Sequence, residues 1–173
     1  MAVINVDGPV EDGWRRVTDA NATGGNDAVI VTLAVWQANR STLSAGTRPI
    51  GLQVPNDVAP DALAAALEHV ELIELTFPKF SDGRAYSQAR TLRENLGFTG
   101  EIRAAGNFGR DQLAFLVRCG FDSFIVPDSD DWRLWLEALG EVDVHLQPAA
   151  DRRPGARHLR AAGQSKFRPY GTV

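Results

Sequence analysis

Residues 71–106 read "ELIELTFPKFSDGRAYSQARTLRENLGFTGEIRAAG", and this stretch decides the fold. Two short apolar runs, 71–77 and 100–106, have the composition of buried strands and enclose a helical segment at 81–97. Within that segment, apolar residues recur at the spacing of one helix face, at Ala85, Ala89, Leu92 and Leu96. A strand, a helix and a strand in succession form a β-α-β unit, so the two strands are predicted to pair in parallel.

The same alternation continues on both sides of this unit. Further strands are predicted at 29–31, 48–55, 121–127 and 141–148, and further helices at 33–45, 56–70, 109–120 and 129–140. Ser129 or Asp130 is the predicted N-cap of the last helix, and glycines close several of the others. We therefore predict an α/β fold with a mostly parallel sheet and alternating helices. A complete eight-unit barrel usually takes about 250 residues, so 173 residues indicate an open sheet or a partial barrel.

The two ends of the chain differ from this pattern. At the amino end, "AVINVDGPVEDGWRRVTD" has two β-prone runs around the turn-rich "DGPVEDG", which suggests a short N-terminal β-hairpin. At the carboxyl end, residues 152–173 carry six basic side chains, no acidic ones and few large apolar ones. We therefore expect one α/β domain over residues 1–150 and a basic, disordered tail over 151–173.

Charge and composition exclude several classes of function. The whole chain has a net charge of -4 and the tail alone +6, so the preceding residues carry -10, which makes nucleic-acid binding by the domain unfavourable. The single cysteine and three scattered histidines do not predict a metal site or an intrachain disulfide. No run approaches the roughly 18 to 20 apolar residues of a membrane span, so we expect no membrane association and a cytoplasmic location.

The candidate site follows from the parallel sheet, because ligands bind where the carboxyl ends of parallel strands meet helix amino ends. The loop after the strand 71–77 is basic, and the helix that follows presents tyrosine and arginine on one stripe. Arginine offers a bidentate fork to an oxyanion or a carboxylate. The predicted anion-binding residues are Lys79, Asp82, Arg84, Tyr86, Arg90, Arg93, Arg103 and Arg110.

Each of these residues also has a structural interpretation. The arginines of the stripe could pair with Glu94, Asp111 or Glu101 on a solvated face, and Asp82 could cap the helix. Arg103 lies in the middle of a strand expected to be covered on both faces. A charge there must be neutralised by Glu74 on the preceding strand or by another acid, or it lines a ligand cavity.

Familiar catalytic motifs are missing from the sequence. It contains neither GxGxxG nor GxxxxGK[ST], and no histidine lies in a triad or zinc-ligand spacing. Cys119 falls near a helix carboxyl end, where packing is a better explanation than nucleophilic catalysis. Catalytic residues and a cofactor are therefore not predicted from the residues alone.

Residues 77–126 resemble the signature of a bacterial family of unknown function, whose members are labelled probable oxidoreductases and are associated with sulfite reduction. The signature reads approximately FPKF-[ST]-DGR-x-[YF]-S-x-AR-x-LR, then GF-x-GE-[LI]-RA-x-G, then RDQ and RCGFD. The chain matches it at residues 77–80, 82–84, 86–87, 89–90, 92–93, 97–98, 100–101, 103–104, 106, 110–112 and 119–122. It departs at "NFG", residues 107–109, and in the basic tail.

The resemblance implies one of two roles. The first is an accessory protein or enzyme of assimilatory sulfite reduction that binds a small oxyanion at the predicted residues. The second is a non-catalytic interaction module that docks on sulfite reductase or its electron donor. Whether the chain is an enzyme stays open, as does a homo-oligomer that would complete the partial barrel.

Overall fold

The computed structural model describes residues 1–18, 27–141, 145, 149–150 and 155–161, the side chain at position 160 excepted. Its strands are β1 (Ala2–Asn5), β2 (Gly8–Val10), β3 (Arg15–Val17), β4 (Val29–Thr32), β5 (Ile50–Val54), β6 (Leu72–Phe77), β7 (Glu101–Gly106) and β8 (Ser123–Val126). Its α-helices are α1 (Leu33–Ser44), α2 (Arg84–Glu94), α3 (Leu113–Cys119), α4 (Trp132–Glu137) and α5 (Ala156–Ala161).

The strands form one eight-stranded sheet in the order β2-β1-β8-β7-β6-β5-β4-β3. Strands β3 to β8 lie side by side in chain order and pair in parallel, whereas β1 pairs antiparallel with β8 and with β2. Crossovers of one hand between successive neighbours put every connecting helix on the same face of the sheet. That face holds the apolar core, including Val31, Leu52, Leu75, Ala104 and Phe124. The predicted α/β class is confirmed.

The sheet curls into a half-barrel, and the chain itself requires this shape. Strands β2 and β3 are the two edges, yet only residues 11–14 separate them in sequence. A flat sheet with seven strand spacings would place its edges about 34 Å apart. The five residue steps from Val10 to Arg15 reach at most about 18 Å. The edges must therefore approach each other, and the face without helices becomes concave.

The N-terminal hairpin is confirmed, but with a different second strand. Strand β1 turns at residues 6–7 into β2, and the Asn5 side-chain oxygen accepts hydrogen bonds from the amides of Asp7 and Gly8 at 2.8 and 3.0 Å. Pro9 is tolerated because β2 is an edge strand. The second β-prone run, "RRV", instead forms β3 at the opposite edge. The turn that Asn5 closes at residues 6–7 therefore lies at the start of the turn-rich segment, and the hairpin ends before "RRV".

The predicted helix at 56–70 is replaced by two short 3₁₀ segments, Pro60–Leu63 and Leu67–His69. Amide-to-carbonyl bonds three residues apart run through this connection, for example from Ala66 to Leu63 at 2.7 Å. With three residues per turn, these two side chains fall on the same side, and both are buried. The connection buries its apolar side chains without a full α-helix.

The remaining predicted helices are present. The sheet-facing Ala85, Ala89 and Leu92 of α2 are fully buried. Gly120 closes α3 in the left-handed conformation, with φ of 101°. The N-cap of α4 is Asp131 rather than Ser129 or Asp130, because its side chain accepts the Arg133 amide at 3.0 Å.

Two predictions fall largely outside the described residues. The strand expected at 141–148 is described only at residues 141 and 145, and the tail expected at 151–173 only at 155–161, where it contains α5. The domain boundary at residue 150 and the disorder of the tail stay predictions.

Candidate functional site

A continuous row of polar side chains crosses the concave face of the half-barrel. Directly paired positions on six neighbouring strands carry Thr32, Gln53, Glu74, Arg103, Ser123 and Asn5. Side chains of a strand alternate between faces, so each of these residues points away from the helix-covered core. The row is therefore a polar layer of the interior, next to a layer on the same face that contains the buried side chains of Ile30 and Leu72.

Glu74 is the carboxylate of this row and is 1% exposed. One carboxylate oxygen accepts a hydrogen bond from Arg16 Nη2 at 2.5 Å, and the other accepts one from Gln53 Nε2 at 3.0 Å. Arg16 lies on β3, so the ion pair joins an edge strand to the centre of the sheet. A buried carboxylate needs both a counter-charge and hydrogen bonds, and Glu74 has both.

Arg103 is 3% exposed and is neutralised by acids other than Glu74. Its guanidinium donates to Glu101 Oε1 at 2.9 and 3.0 Å and to Asp12 Oδ1 at 2.8 Å. Ser123 Oγ accepts a further bond from Arg103 Nε and donates to Glu101 at 2.5 Å. Glu74 lies directly opposite Arg103 in register but pairs with Arg16. The sequence left open whether Glu74, another acid or a ligand cavity accounts for the charge of Arg103. In the structure, Glu101 and Asp12 neutralise it.

Asp12 belongs to the segment 11–14 that joins the two edges of the sheet. Partial burial raises the pKa of its carboxyl, but the hydrogen bond and charge of Arg103 outweigh burial, and the net pKa is lowered. Arg16 Nη1 also donates to Asp12, at 3.4 Å. The segment is thus held across the concave face by charge.

Above the polar row, a pocket of about 520 Å³ opens at the carboxyl ends of β4, β5 and β6. Thr32 and Gln53 belong both to the row and to the pocket lining. Thr76, which also lines the pocket, lies two residues beyond Glu74 on the same face of β6. This edge is where parallel α/β sheets bind ligands. The pocket is therefore the candidate functional site among the described residues.

The amino end of α1 forms one wall of the pocket. Thr32 is the N-cap, and its Oγ1 accepts the Val35 amide at 3.3 Å, while Leu33 and Ala34 line the pocket. The first turn contains no acidic residue. The helix is interrupted at Asn39, where φ is -126° and ψ is 22°, so the positive character of this end comes from the free amides of its first turn and not from a long helix dipole. No side chain of this turn compensates it, which favours an anionic group in the pocket.

Asn56 forms a second wall and is 7% exposed. Its amide is close enough to Asp82 to help lower the pKa of that carboxyl, yet Nδ2 has no hydrogen-bond partner of normal geometry among the described residues. The loop that carries Asn56 is held by Gln88 on α2, whose Nε2 donates to the carbonyls of Pro55 and Val58 at 2.9 and 2.7 Å. A fixed loop thus presents a buried donor that a ligand could use.

The predicted loop residues lie at the same edge, beside the pocket. Arg84 donates to both carboxylate oxygens of Asp82, at 2.9 and 2.7 Å, and this pairing, followed by the Asn56 amide, holds the pKa of Asp82 well below its usual range. Lys79 follows the pocket-lining Pro78 and is exposed, and Arg110 is exposed after β7. Part of the basic character of this loop is therefore already neutralised by Asp82.

Two other predicted arginines have structural contacts. Arg90 donates to Glu94 at 2.8 Å, one turn along α2, as the structural interpretation expected. Arg93 donates to the carbonyls of Phe98, Gly100 and Gly120 at 2.7, 2.8 and 3.0 Å, and it also pairs with Asp122. These groups precede β7 and β8, so Arg93 lies at the amino end of the sheet, away from Lys79.

Tyr86 lies between aromatic rings on the outer side of the sheet. Its ring centroid is 5.1 Å from that of Phe77 and 4.8 Å from that of Phe115. Its hydroxyl is buried without a hydrogen-bond partner in the described chain. Burial, with smaller contributions from Cys119 and Asp111, raises the pKa of Tyr86 to about 12.

The eight predicted residues therefore do not form one cluster. Lys79, Asp82 and Arg84 share a loop at the pocket edge, whereas Arg93 lies at the other end of the sheet and Arg103 in the polar interior. Their role in anion binding stays a prediction. Sequence reasoning missed Gln53, Asn56 and the row itself, although the one or two polar residues within each otherwise apolar strand are a signal that could have revealed the row.

Two further properties of the described residues bear on function. They contain no group of three or more histidine, cysteine or acidic side chains that could hold a metal ion. No helix of this part of the chain is both long and apolar enough to cross a membrane.

Comparison with known proteins gives one match. A family model described as "Bacterial protein of unknown function (DUF934)" matches residues 51–156, which include β5 to β8 and the loop that carries Asn56. Neither a curated protein nor a solved structure matches the chain.

Proposed function

The chain belongs to the bacterial DUF934 family of unknown function, and from that premise we propose that it serves assimilatory sulfite reduction as an accessory protein or enzyme that binds a small sulfur oxyanion. The link to sulfite rests on the resemblance of residues 77–126 to the signature described above. The anion site is proposed at the pocket on the carboxyl edge of β4 to β6.

The observation that carries this proposal is the convergence of uncompensated donors at the pocket. The amino end of α1 has no acidic residue in its first turn, and the buried Asn56 Nδ2 lacks a partner of normal geometry among the described residues. Lys79 follows in the adjacent loop and is exposed, whereas Arg84 of the same loop is already paired with Asp82. Because residues 1–151 carry a net charge of -10, an anion needs such local donors to bind at all.

Calorimetric titration of the full chain with sulfite, sulfate and phosphate tests the proposal. A hydrogen bond to a charged group contributes about 1.5 to 3 kcal/mol, so Asn56→Ala is expected to weaken sulfite binding by at least tenfold. Asn95→Ala is the matched control, because Asn95 is an exposed asparagine at the carboxyl end of α2. Arg84→Ala tests the loop separately.

Absence of heat with all three anions would contradict the proposed site. Binding that Arg84→Ala abolishes and Asn56→Ala leaves unchanged would move the site from the pocket to the loop.

A second candidate function is docking on sulfite reductase or its electron donor without catalysis. It is favoured by two exposed aromatic side chains, Phe80 at 57% and Phe115 at 54%. Phe115 packs against Tyr86, and Phe80 lies beside Gly109. The loop before α2 and α2 itself also carry exposed basic residues. Aromatic anchors with a charged rim are typical of protein interfaces.

Co-purification with sulfite reductase tests this second role. Phe80→Ser and Phe115→Ser are expected to reduce recovery of the reductase. Leu134→Ser also replaces an exposed apolar side chain with serine, at a 45% exposed position on α4, and should leave recovery unchanged. Equal recovery with all three variants would contradict docking at this surface. An absorption band of flavin or haem in the purified protein would contradict a purely non-catalytic role.

A further inference from the structure

The pocket is larger than an inorganic oxyanion requires. Its volume of about 520 Å³ lies within the range of roughly 300 to 1,000 Å³ that holds organic ligands. A water molecule takes about 30 Å³ of liquid, so an oxyanion of four or five heavy atoms fills on the order of 100 Å³. The remaining volume has room for an organic group attached to the anion.

The lining divides into two chemically different parts. The donors are the amino end of α1 and the buried Asn56 amide. The apolar side chains are Leu33, Pro55, Val58 and Pro78. Apolar walls gain free energy only from an apolar group that leaves water, at about 25 cal/mol per Å² buried.

The lining also excludes a cationic group. None of the ten lining residues is acidic, and two carboxylates next to the lining, Glu74 and Asp82, are already paired with Arg16 and Arg84. An ammonium group in the pocket would therefore lose its hydration without gaining a counter-charge.

We infer that the pocket binds an organic acid: a sulfonate or carboxylate head at the amino end of α1 and Asn56, attached to a small apolar body against the two prolines and Val58. This inference rests on the proposed function in one respect only: the same hydrogen-bond donors bind the anionic group. It differs in the ligand, which is an organic anion without an amino group.

A ligand series measured by ¹H–¹⁵N NMR on the full chain tests the inference. The probes are sulfite, methanesulfonate, benzenesulfonate, benzoate, benzyl alcohol and benzylamine. Benzenesulfonate is expected to bind at least tenfold more tightly than methanesulfonate or sulfite, and benzoate to follow it within a few fold. Benzyl alcohol and benzylamine should bind at least tenfold more weakly than either acid, and shifts should concentrate at the Ala34 amide and the Asn56 side chain.

Ala34→Asp separates the head-group contact from the apolar contact. Ala34 is exposed in the first turn of α1, where a carboxylate stabilises a helix, so the variant should fold at least as well as the natural chain. Its carboxylate competes with the ligand for the same positive helix end, and benzenesulfonate affinity should fall at least tenfold. Ser41→Asp, an exposed change in α1 beyond the interruption at Asn39 and outside the pocket lining, adds the same charge as a control and should leave affinity unchanged.

The outcomes distinguish this inference from the proposed function. If sulfite binds as tightly as benzenesulfonate and both respond to Ala34→Asp, the organic ligand is overturned and the oxyanion site stands. If benzyl alcohol binds as tightly as benzenesulfonate, the acidic head group is not required and the inference is overturned. If sulfite then also causes no chemical-shift change, the proposed oxyanion site is overturned as well. If no probe shifts Ala34 or Asn56, the inference fails.

Discussion

At the scale of single residues, the unusual feature is a pair of buried charges that do not pair with each other. Glu74 and Arg103 are direct neighbours across β6 and β7, yet Glu74 pairs with Arg16 of the N-terminal segment, and Arg103 pairs with Asp12 of that segment and with Glu101. The signature residue Arg103 therefore acts in the interior of the sheet. Its mutation should affect folding before it affects any ligand.

We predict that Arg103→Met destabilises the chain strongly. The change removes the counter-charge of Glu101 and the nearer of the two arginines that pair with Asp12, and breaking a buried ion pair in this way costs about 3 to 5 kcal/mol. Urea unfolding measures the free energy of unfolding. Arg90→Met is the control, because Arg90 pairs with Glu94 on the surface and its loss should cost no more than about 1 kcal/mol. Equal effects of the two changes would contradict the buried network.

Tyr86 gives a prediction with a defined pH range. Burial raises the pKa of its hydroxyl to about 12 from the model-peptide value of 10.0, so the folded state disfavours the phenolate. The unfolded chain loses this proton first. Folding stability should consequently decline as pH rises from about 10 towards 12, and this contribution is complete below 10.

An absorbance titration near 295 nm of the Tyr170→Phe variant isolates Tyr86, because the chain has two tyrosines. The midpoint should lie near 12 in the folded protein. Tyr86→Phe should remove the associated loss of stability. A midpoint near 10 in the folded variant would show that the hydroxyl is not buried.

At the scale of elements, the loop between β6 and α2 is fixed by close backbone approach. Gly106 ends β7 with φ of 102°, and a Cβ atom there would lie 2.4 Å from the Phe77 carbonyl oxygen. Asn107 reinforces this junction, donating its amide to the same carbonyl at 2.8 Å and its side chain to Pro78 at 2.9 Å. The two strand ends that flank the signature loop are therefore held together by the main chain.

Gly106→Ala should destabilise the protein by at least about 2 kcal/mol, since it combines a left-handed backbone with a steric clash. Gly140→Ala is the control, because a Cβ there meets nothing within 4 Å. Thermal unfolding compares the two variants. A Gly106→Ala protein as stable as the control would mean that the two strand ends are not packed this closely.

At the scale of the whole molecule, a four-residue segment spans the open side of the half-barrel. Residues 11–14 connect the two edges of the sheet, and Asp12 bonds Arg103 and Arg16 across the concave face. The curvature of the sheet and the charges inside it thus depend on each other. The curl also brings the polar row under the pocket, which lies at its carboxyl mouth.

Asp12→Asn should lower the free energy of unfolding at pH 7 by about 1 kcal/mol. This is the contribution of a charge-assisted hydrogen bond that is weakened because Asp12 is partly exposed. The net pKa of Asp12 is lowered in the folded state, so its contribution is present above its ordinary value of 3.8 and is lost as pH falls through the lowered value. Urea unfolding of both proteins at several pH values checks this. The difference between them should shrink in acid, and a constant difference would exclude the charge of Asp12 as its cause.

The sequence by itself determined the alternation of strands and helices except at 56–70, the mostly parallel sheet, the limitation to an open sheet or a partial barrel, and the loop after β6. These follow from local properties: apolar periods of two and 3.6, glycine stops, and the length of the chain. Arg103 could likewise be recognised as a charge needing a partner, because its strand is otherwise apolar.

Only the tertiary structure decided which groups meet. Arg16, the ionic partner of Glu74, is 58 residues away in sequence, and Asp12, one of the two acidic partners of Arg103, is 91 residues away; curling of the sheet brings them together. The pocket likewise combines the ends of three strands with a helix amino end, and Asn56 becomes a buried donor only because Gln88 of α2 holds its loop. Periodicity predicts which face a side chain occupies, but the distance between residues far apart in sequence depends on how the whole sheet bends.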